Sequence, residues 1–183
     1  MLKTALIYGS IAGAVVIGVI MYGLTLNGGA HGHGGNGSIF SSEWFGYLVM
    51  FVALSSIFIA VRDYRNKKLG GVIKFLPALG LGLLISLIAG IAYVGVWEVY
   101  LYLTHYHFMD NYVAAMEAHA RAAGTSGPAL DAKIAALEEM RASYANPLFR
   151  LPMTFIEIFP VGLVIAFISA AILRNPKVLP ARG

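Results

Sequence analysis

Four long apolar blocks, separated by polar stretches, dominate the pattern of this chain. They cover about residues 4–26, 44–61, 75–103 and 153–173. Each approaches or exceeds the roughly 20 apolar residues that a helix needs to cross about 30 Å of hydrocarbon. The pattern therefore predicts an all-α integral membrane protein with four transmembrane helices.

The longest polar stretch, residues 104–150, lies between the third and fourth apolar blocks. Apolar residues recur in it at helical spacing on both sides of a break at Gly124–Pro128. Pro128 suits the first turn of a helix, because that position needs no backbone N–H donor. We predict an extracytoplasmic helical hairpin that is too short to fold alone, so that residues 1–183 form a single membrane domain.

Composition supports a membrane protein and excludes several other classes. The chain is 58% hydrophobic and only 12% charged, whereas about a quarter of a soluble domain is charged. Its net charge of +4 comes from basic residues beside the apolar blocks, so we expect a lipid bilayer and no nucleic acid as its partner. Cysteine is absent, which removes disulfides and thiolate metal sites. No cofactor is indicated.

Basic residues predict the orientation. The densest cluster lies between Arg62 and Lys74, in the short connection after the second block, and Lys3, Arg174 and Lys177 flank the first and last blocks. Positive residues collect on the cytoplasmic side of membranes. Both termini are therefore predicted to be cytoplasmic. A lipid-headgroup site on the same connection is the alternative interpretation.

Small residues at intervals of four predict close helix packing. Gly9 and Gly13 form a G-x-x-x-G motif in the first block, and Gly82, Ser86 and Gly90 form a similar stripe in the third. Such spacing lets two backbones approach each other. The partner of the first stripe is either another helix of the bundle or a second copy of the chain.

Two acids stand inside apolar blocks, Glu98 in the third and Glu157 in the fourth. A charged group in hydrocarbon is costly and needs a partner, so we expect Glu157 to be covered by protein. The distance of each acid along its helix from the cytoplasmic end, at Lys74 and at Arg174, predicts that both lie in the outer half of the bilayer. Pro160 frees the carbonyl of Ile156 and predicts a kink one turn from Glu157. The acids share a proton, pair with a cation or accept hydrogen bonds. The candidate buried polar site consists of Glu98, Glu157, Arg150, Tyr102, Thr154 and Trp97.

Five histidines lie outside the apolar blocks. His31 and His33 stand in a glycine-rich linker, and His105 and His107 follow the third block. These four are weak metal-ligand candidates, because no H-x-x-x-H or H-E-x-x-H pattern places two ligands on one helical face. We therefore predict no metal site, and interpret these residues as solvated side chains.

Three functional classes are compatible with the pattern. A non-enzymatic accessory or association protein, with a homo-oligomer or another membrane protein as its partner, requires nothing further. A small oligomeric proton- or ion-coupled transporter would use Glu157 and Glu98. An intramembrane enzyme is disfavoured, because the chain has no cysteine, no G-x-S-x-G motif and one acid on each helix, so that no catalytic residue is assigned.

Six segments spread along the chain form a recognisable set. They are Lys3–Gly13, Asp63–Arg65, Leu69–Phe75, Trp97–Tyr100, Asn146–Glu157 and Pro160–Gly162. Together they resemble the bacterial membrane family catalogued as domain of unknown function 4199. The resemblance covers nearly the whole chain and implies four membrane helices, a bacterial inner-membrane location and no established activity. The glycine- and histidine-rich linker falls outside it.

Overall fold

A computed structural model describes residues 1–26 and 43–180 of the protein. Helices and their connections make up these residues, and no strand occurs among them, which confirms the all-α prediction for this part of the chain. The helices are α1 (Leu2–Leu26), α2 (Glu43–Leu54), α3 (Ser56–Lys68), α4 (Phe75–Leu103), α5 (Phe108–Ala122), α6 (Pro128–Ala145) and α7 (Pro147–Leu173).

Four helical segments in the described residues are long and apolar enough to cross a membrane, as the sequence predicts. They are Leu2–Tyr22, Gly46–Lys68, Phe75–Leu103 and Pro147–Leu173. The second runs seven residues past the predicted end at Val61, and the fourth begins six residues before the predicted start at Met153. Both differences arise where a charged residue near a helix end is buried by the fold.

The second segment is interrupted at Ser55, between α2 and α3. The Ser55 hydroxyl donates to the carbonyl oxygen of Phe51, 2.6 Å away and one turn earlier. Serine bonding of this kind bends helices, because the hydroxyl competes for a carbonyl of the helix ladder. The backbone hydrogen bond from the Ser55 N–H to the same carbonyl persists at 2.9 Å, and residues 46–68 together form one segment long enough to cross a membrane.

The central helix of the bundle is α4, which packs between α1 and α7. Gly9 and Gly13 of α1 both face α4: a Cβ atom at Gly13 would stand 2.7 Å from the carbonyl oxygen of Ala89. On the other side of α4, a Cβ atom at Gly82 would stand 2.7 Å from the Cβ atom of Ala166 of α7. Backbone contact of this kind explains why both helices carry small residues at intervals of four.

The same close packing continues along the interface between α4 and α7. Ser86 is buried against Gly162, where a Cβ atom would lie 2.5 Å from the Ser86 hydroxyl oxygen, and Gly90 accommodates the ring of Phe155. The Ser86 hydroxyl finds its hydrogen-bond acceptor within α4, because it donates to the carbonyl oxygen of Gly82 at 2.9 Å. This interface fixes how α7 is rotated, and therefore where its polar residues point.

Arg65 joins α3 to the C-terminal end of α7. Its side chain is fully buried, and its guanidinium donates to the carbonyl oxygens of Leu173, Val178 and Leu179. A helix C-terminus leaves carbonyl groups without partners and carries partial negative charge, which suits a buried cation. At the same end, the Tyr8 hydroxyl of α1 lies 3.5 Å from a carboxylate oxygen of Asp63. The start of α1, the α3–α4 connection and residues 174–180 therefore lie at one end of the bundle.

The opposite end carries α5 and α6, which pack on each other, and α6 also contacts α7. The turn between them uses Gly124 and Gly127 with φ of 81° and 60°, a conformation that glycine adopts without strain. Pro128 stands at the start of α6, as its spacing predicts. We call this region the α5–α6 end.

Candidate functional site

Glu98 of α4 and Arg150 of α7 form an ion pair with two hydrogen bonds. The Arg150 Nε atom lies 2.6 Å from Oε1 of Glu98, and Nη2 lies 2.8 Å from Oε2. The arginine is 4% exposed and the glutamate side chain 25% exposed. A parallel pair of charge-assisted bonds is the strongest arrangement that these groups adopt. Each acid has its own partner, so Glu98 does not share a proton with Glu157.

The third guanidinium nitrogen of Arg150 attaches α6 to this pair. Nη1 donates to the carbonyl oxygens of Tyr144 and Ala145, at 3.0 and 3.3 Å, where α6 ends. The guanidinium also faces two rings, with centroids 5.1 Å away for Tyr106 and 5.8 Å for Tyr144. One side chain therefore connects α4, α6 and α7, with the ring stacking that arginine favours.

Tyr144 extends the polar contacts towards the middle of the bundle. Its hydroxyl accepts a 2.8 Å hydrogen bond from the Trp97 indole N–H and lies within hydrogen-bonding reach of buried Thr154. Burial raises the pKa of the Tyr144 hydroxyl. This hydroxyl connects the end of α6 with Trp97 of α4 and with Thr154 of α7.

Glu157 has a different environment from Glu98, because this single chain does not cover it completely. Its side chain is exposed on the surface of the bundle. The hydrogen bond found for it among the described residues comes from the Tyr93 hydroxyl of α4, 3.3 Å from Oε2. Glu157 lies ten residues after Pro147 in a helix of 27 residues, or roughly 15 Å along an axis of about 40 Å. Because α7 starts earlier than predicted, this acid is close to the midpoint of the helix.

Arg150, Thr154 and Glu157 share one face of α7, because they are separated by four and three residues. We call them the polar face of α7. Sequence reasoning identified all three but missed their partners Tyr93 and Tyr144. The apolar spacing of both tyrosines predicts packing, and nothing in that spacing shows which hydroxyl reaches which acid.

The remaining predicted residues lie outside this arrangement or beside it. Tyr102 is 70% exposed and makes none of the contacts described above. Pro160 lies inside α7 and one turn from Glu157, and the helix continues through it to Leu173. The carbonyl of Ile156 therefore has no backbone donor at the usual position, next to the exposed acid.

Metal binding has little support in the part of the chain that the structure describes. No group of three or more His, Cys, Asp or Glu side chains in those residues is arranged to hold an ion. His107 instead lies 3.3 Å from Asp110, and its neighbour His105 is exposed. His31 and His33 fall outside the described residues.

Comparison with known proteins gives one match. No curated protein and no solved structure matches the chain significantly. A family described as "Protein of unknown function (DUF4199)" matches residues 3–175, which includes every apolar segment and the whole site. The match agrees with the resemblance in the sequence, and the chain belongs to this DUF4199 family.

Proposed function

We propose that this protein is a non-enzymatic membrane protein that works by association, and that the region of α7 around Glu157 binds a membrane helix of another protein. The single observation that carries the proposal is the exposure of Glu157 near the midpoint of an apolar helix. An acid left in hydrocarbon costs at least a few kcal/mol, by an amount that depends on depth and local water. One hydrogen bond from Tyr93 leaves much of that cost uncompensated.

The residues around Glu157 fit a helix-binding surface. Three apolar residues near Glu157 on α7 are exposed: Met153 by 50%, Ile156 by 61% and Val164 by 52%. The acid therefore lies within an apolar surface that a second helix would cover. The partner's expected chemistry follows from charge: a lysine, arginine, histidine or amide side chain that donates to the carboxylate at the same depth. We call Met153, Ile156, Glu157 and Val164 the Glu157 surface.

A partner other than a second copy is favoured by the distribution of cations in the sequence. No Lys, Arg or His occurs between residues 4 and 26, 44 and 61, 75 and 103, or 151 and 173. A second copy would therefore bring no cation to the middle of the membrane. A different chain with a polar residue in its transmembrane helix is the occupant that compensates Glu157 best.

Photo-crosslinking tests the proposed surface. A photoreactive residue in place of Ile156, which is 61% exposed on α7, should form a protein adduct in native membranes. The matched control replaces Ile91, which is 60% exposed on α4, and should give lipid adducts alone. An adduct between two tagged copies of this chain, or equal protein adducts from both positions, would contradict the proposal.

A proton-coupled transporter is the second candidate, favoured by the polar groups that connect Tyr144 and Thr154 with the region of Glu157. Tyr144 lies within hydrogen-bonding reach of Thr154, and Thr154 stands one turn before Glu157 on the same face of α7. Both oxygens of Glu98, however, accept from Arg150, so transport would depend on Glu157 alone. Proton flux into proteoliposomes that is abolished by Glu157→Gln would favour transport over association.

The proposed location is a bacterial inner membrane, with both termini in the cytoplasm and the α5–α6 end outside. The positions of Arg62, Lys67 and Arg174 near the end of the bundle opposite α5 and α6 support this orientation, because basic residues collect on the cytoplasmic side. In this orientation the Glu157 surface lies slightly on the outer side of the midpoint of α7, within the hydrocarbon, where the partner helix would cover it.

A further inference from the structure

A cavity of about 580 Å³ opens at the α5–α6 end, between the end of α4, the α5–α6 helices and the start of α7. This volume lies in the range of sites that hold small molecules or headgroups. Leu101 and Met109 give it an apolar, buried floor, and Tyr106 and Tyr144 contribute rings to its wall. Neither the association proposed above nor the Glu157 surface uses this cavity.

Charged side chains of both signs line the cavity in equal number. Asp110 and Glu138 supply two carboxylates, and Arg141 and Arg150 supply two guanidinium groups. Arg141 lies between the acids, 3.2 Å from Asp110 and 3.0 Å from Glu138, and all three side chains are about half exposed. Exposed ion pairs contribute little stability and exchange partners readily. These three groups are therefore available to a ligand, whereas Arg150 is held by Glu98.

The turn that covers the cavity holds two consecutive non-glycine residues in a left-handed conformation. The φ angles are 51° for His105 and 58° for Tyr106. Such a conformation costs free energy, and it persists where surrounding contacts require it, often at ligand sites. Here it places the Tyr106 ring over the Arg150 guanidinium, so that the ring forms a wall of the cavity.

The cavity also lies between an apolar part and a polar part of the protein. Its floor residue Leu101 belongs to the last turn of an apolar helix, whereas Asp110, Glu138 and Arg141 belong to the polar α5–α6 helices. A ligand that fits both parts has an apolar portion beside the end of α4 and a polar portion between α5 and α6. Asp110, Glu138 and Arg141 present both signs of charge side by side, which favours a polar portion that itself carries a positive and a negative group.

We propose that this cavity binds a zwitterion in which an ammonium group and a phosphate or carboxylate lie a few ångströms apart. The anionic group would accept from the unused N–H groups of Arg141, and the ammonium would donate to Glu138 and Asp110. Two sources share this chemistry: the ethanolamine headgroup of a phospholipid, whose acyl chains would leave along α4, and a water-soluble zwitterion such as glycerophosphoethanolamine.

Native mass spectrometry of the full-length protein in detergent tests the proposal with defined probes. The protein is titrated with phosphatidylethanolamine, with phosphatidylglycerol and with free glycerophosphoethanolamine. We expect binding of at least one ethanolamine probe about fivefold tighter than that of phosphatidylglycerol, as for one or two gained hydrogen bonds. Preference for the lipid identifies a headgroup site, and equal binding of the free compound identifies a soluble zwitterion. Equal binding of phosphatidylglycerol and both ethanolamine probes would overturn the proposal.

Variants connect that preference to the cavity. Arg141→Gln and Glu138→Gln should each weaken ethanolamine binding about fivefold, because each removes one of the three charges that would contact the ligand. The matched control is Arg121→Gln, which breaks the Arg121–Glu117 pair of 2.6 Å on α5, away from the cavity. The proposal would also be overturned if the preference for ethanolamine probes survived in both cavity variants, or if the control variant lost that preference to the same extent. Thermal unfolding of each variant separates loss of binding from loss of fold.

Discussion

At the residue scale, the Arg150 side chain connects three helices through one guanidinium group. It donates to Glu98 of α4 and to the carbonyls at the end of α6, and it belongs to α7 itself. A buried pair of this kind is costly to break on one side only, because the remaining charge keeps its desolvation cost and loses its partner. The pair therefore has a structural role, which distinguishes it from exposed Glu157.

Arg150→Gln should destabilise the protein by about 3 kcal/mol, because it leaves the Glu98 carboxylate without its cation. Thermal unfolding in detergent measures this effect. Arg150→Lys should recover only part of the loss, since an ammonium group cannot form the two parallel bonds to Glu98. The control is Arg121→Gln on exposed α5, expected to change stability by less than about 1 kcal/mol. Similar effects of the buried and exposed variants would contradict a structural role for the pair.

The residue scale also shows where sequence reasoning reaches its limit. Glu98 is recognisable as unusual because it interrupts an apolar block, and Arg150 because it stands just before one. The pairing of Glu98 with Arg150 across 52 positions, and that of Trp97 with Tyr144 across 47, depends on how α4, α6 and α7 are rotated about their axes. Apolar periodicity is consistent with several such rotations, so it predicts that a partner exists without identifying it.

At the element scale, glycine packing fixes the rotation of α7 against α4. A Cβ atom at Gly82 would lie 2.7 Å from the Cβ of Ala166 and 3.1 Å from its Cα, and neither atom can move without a shift of the helix. At Gly80, two residues earlier on the same helix, an added Cβ atom would meet nothing within 4 Å. The two glycines therefore form a matched pair with opposite expectations.

Gly82→Ala should destabilise the fold by about 1–3 kcal/mol through overpacking. Gly80→Ala should be neutral or stabilising by up to about 1 kcal/mol, because alanine favours a helix more than glycine does. Thermal unfolding of both variants in the same detergent provides the comparison. Equal effects of both substitutions would show that α4 and α7 do not pack at Gly82.

Element boundaries were predicted less well than the elements themselves, for identifiable reasons. The interval 75–103 agrees with α4, because Lys74 and Thr104 interrupt the apolar run on both sides. The start of α7 was placed too late, because Arg150 and Pro147 suggest a loop. Asn146 in fact caps the helix by accepting from the Leu148 N–H at 3.0 Å, and Pro147 occupies the first turn. Likewise α3 continues to Lys68, since Arg65 is satisfied by carbonyls more than 100 residues away.

At the scale of the whole molecule, basic residues and apolar helices have a consistent arrangement. The α3–α4 connection and residues 174–180 lie at one end, joined through Arg65, whereas α5 and α6 occupy the other. Four apolar segments follow from the sequence because each is long enough to be recognised alone. Their order in space does not follow from it, because every segment is apolar on most of its surface.

Labelling of single cysteines tests the proposed orientation, and the natural chain has no cysteine that would interfere. Thr125→Cys, in the turn between α5 and α6, should react with a membrane-impermeant maleimide in intact cells. Lys68→Cys, at the end of α3, should react only after the membrane is permeabilised, because its basic neighbours favour the cytoplasmic side. The opposite pattern would reverse the orientation and place the proposed zwitterion site in the cytoplasm.

The central claim is that a donor on another membrane protein compensates exposed Glu157, and one measurement tests it most directly. The crosslinking residue at position 156 is combined with Glu157 unchanged, with Glu157→Gln and with Glu157→Leu. Glutamine still accepts a hydrogen bond, so we expect it to retain most of the protein adduct, whereas leucine should reduce the adduct about tenfold, as for a loss of about 1.4 kcal/mol. A protein adduct that is undiminished by Glu157→Leu, or lipid adducts alone in all three proteins, would contradict the account.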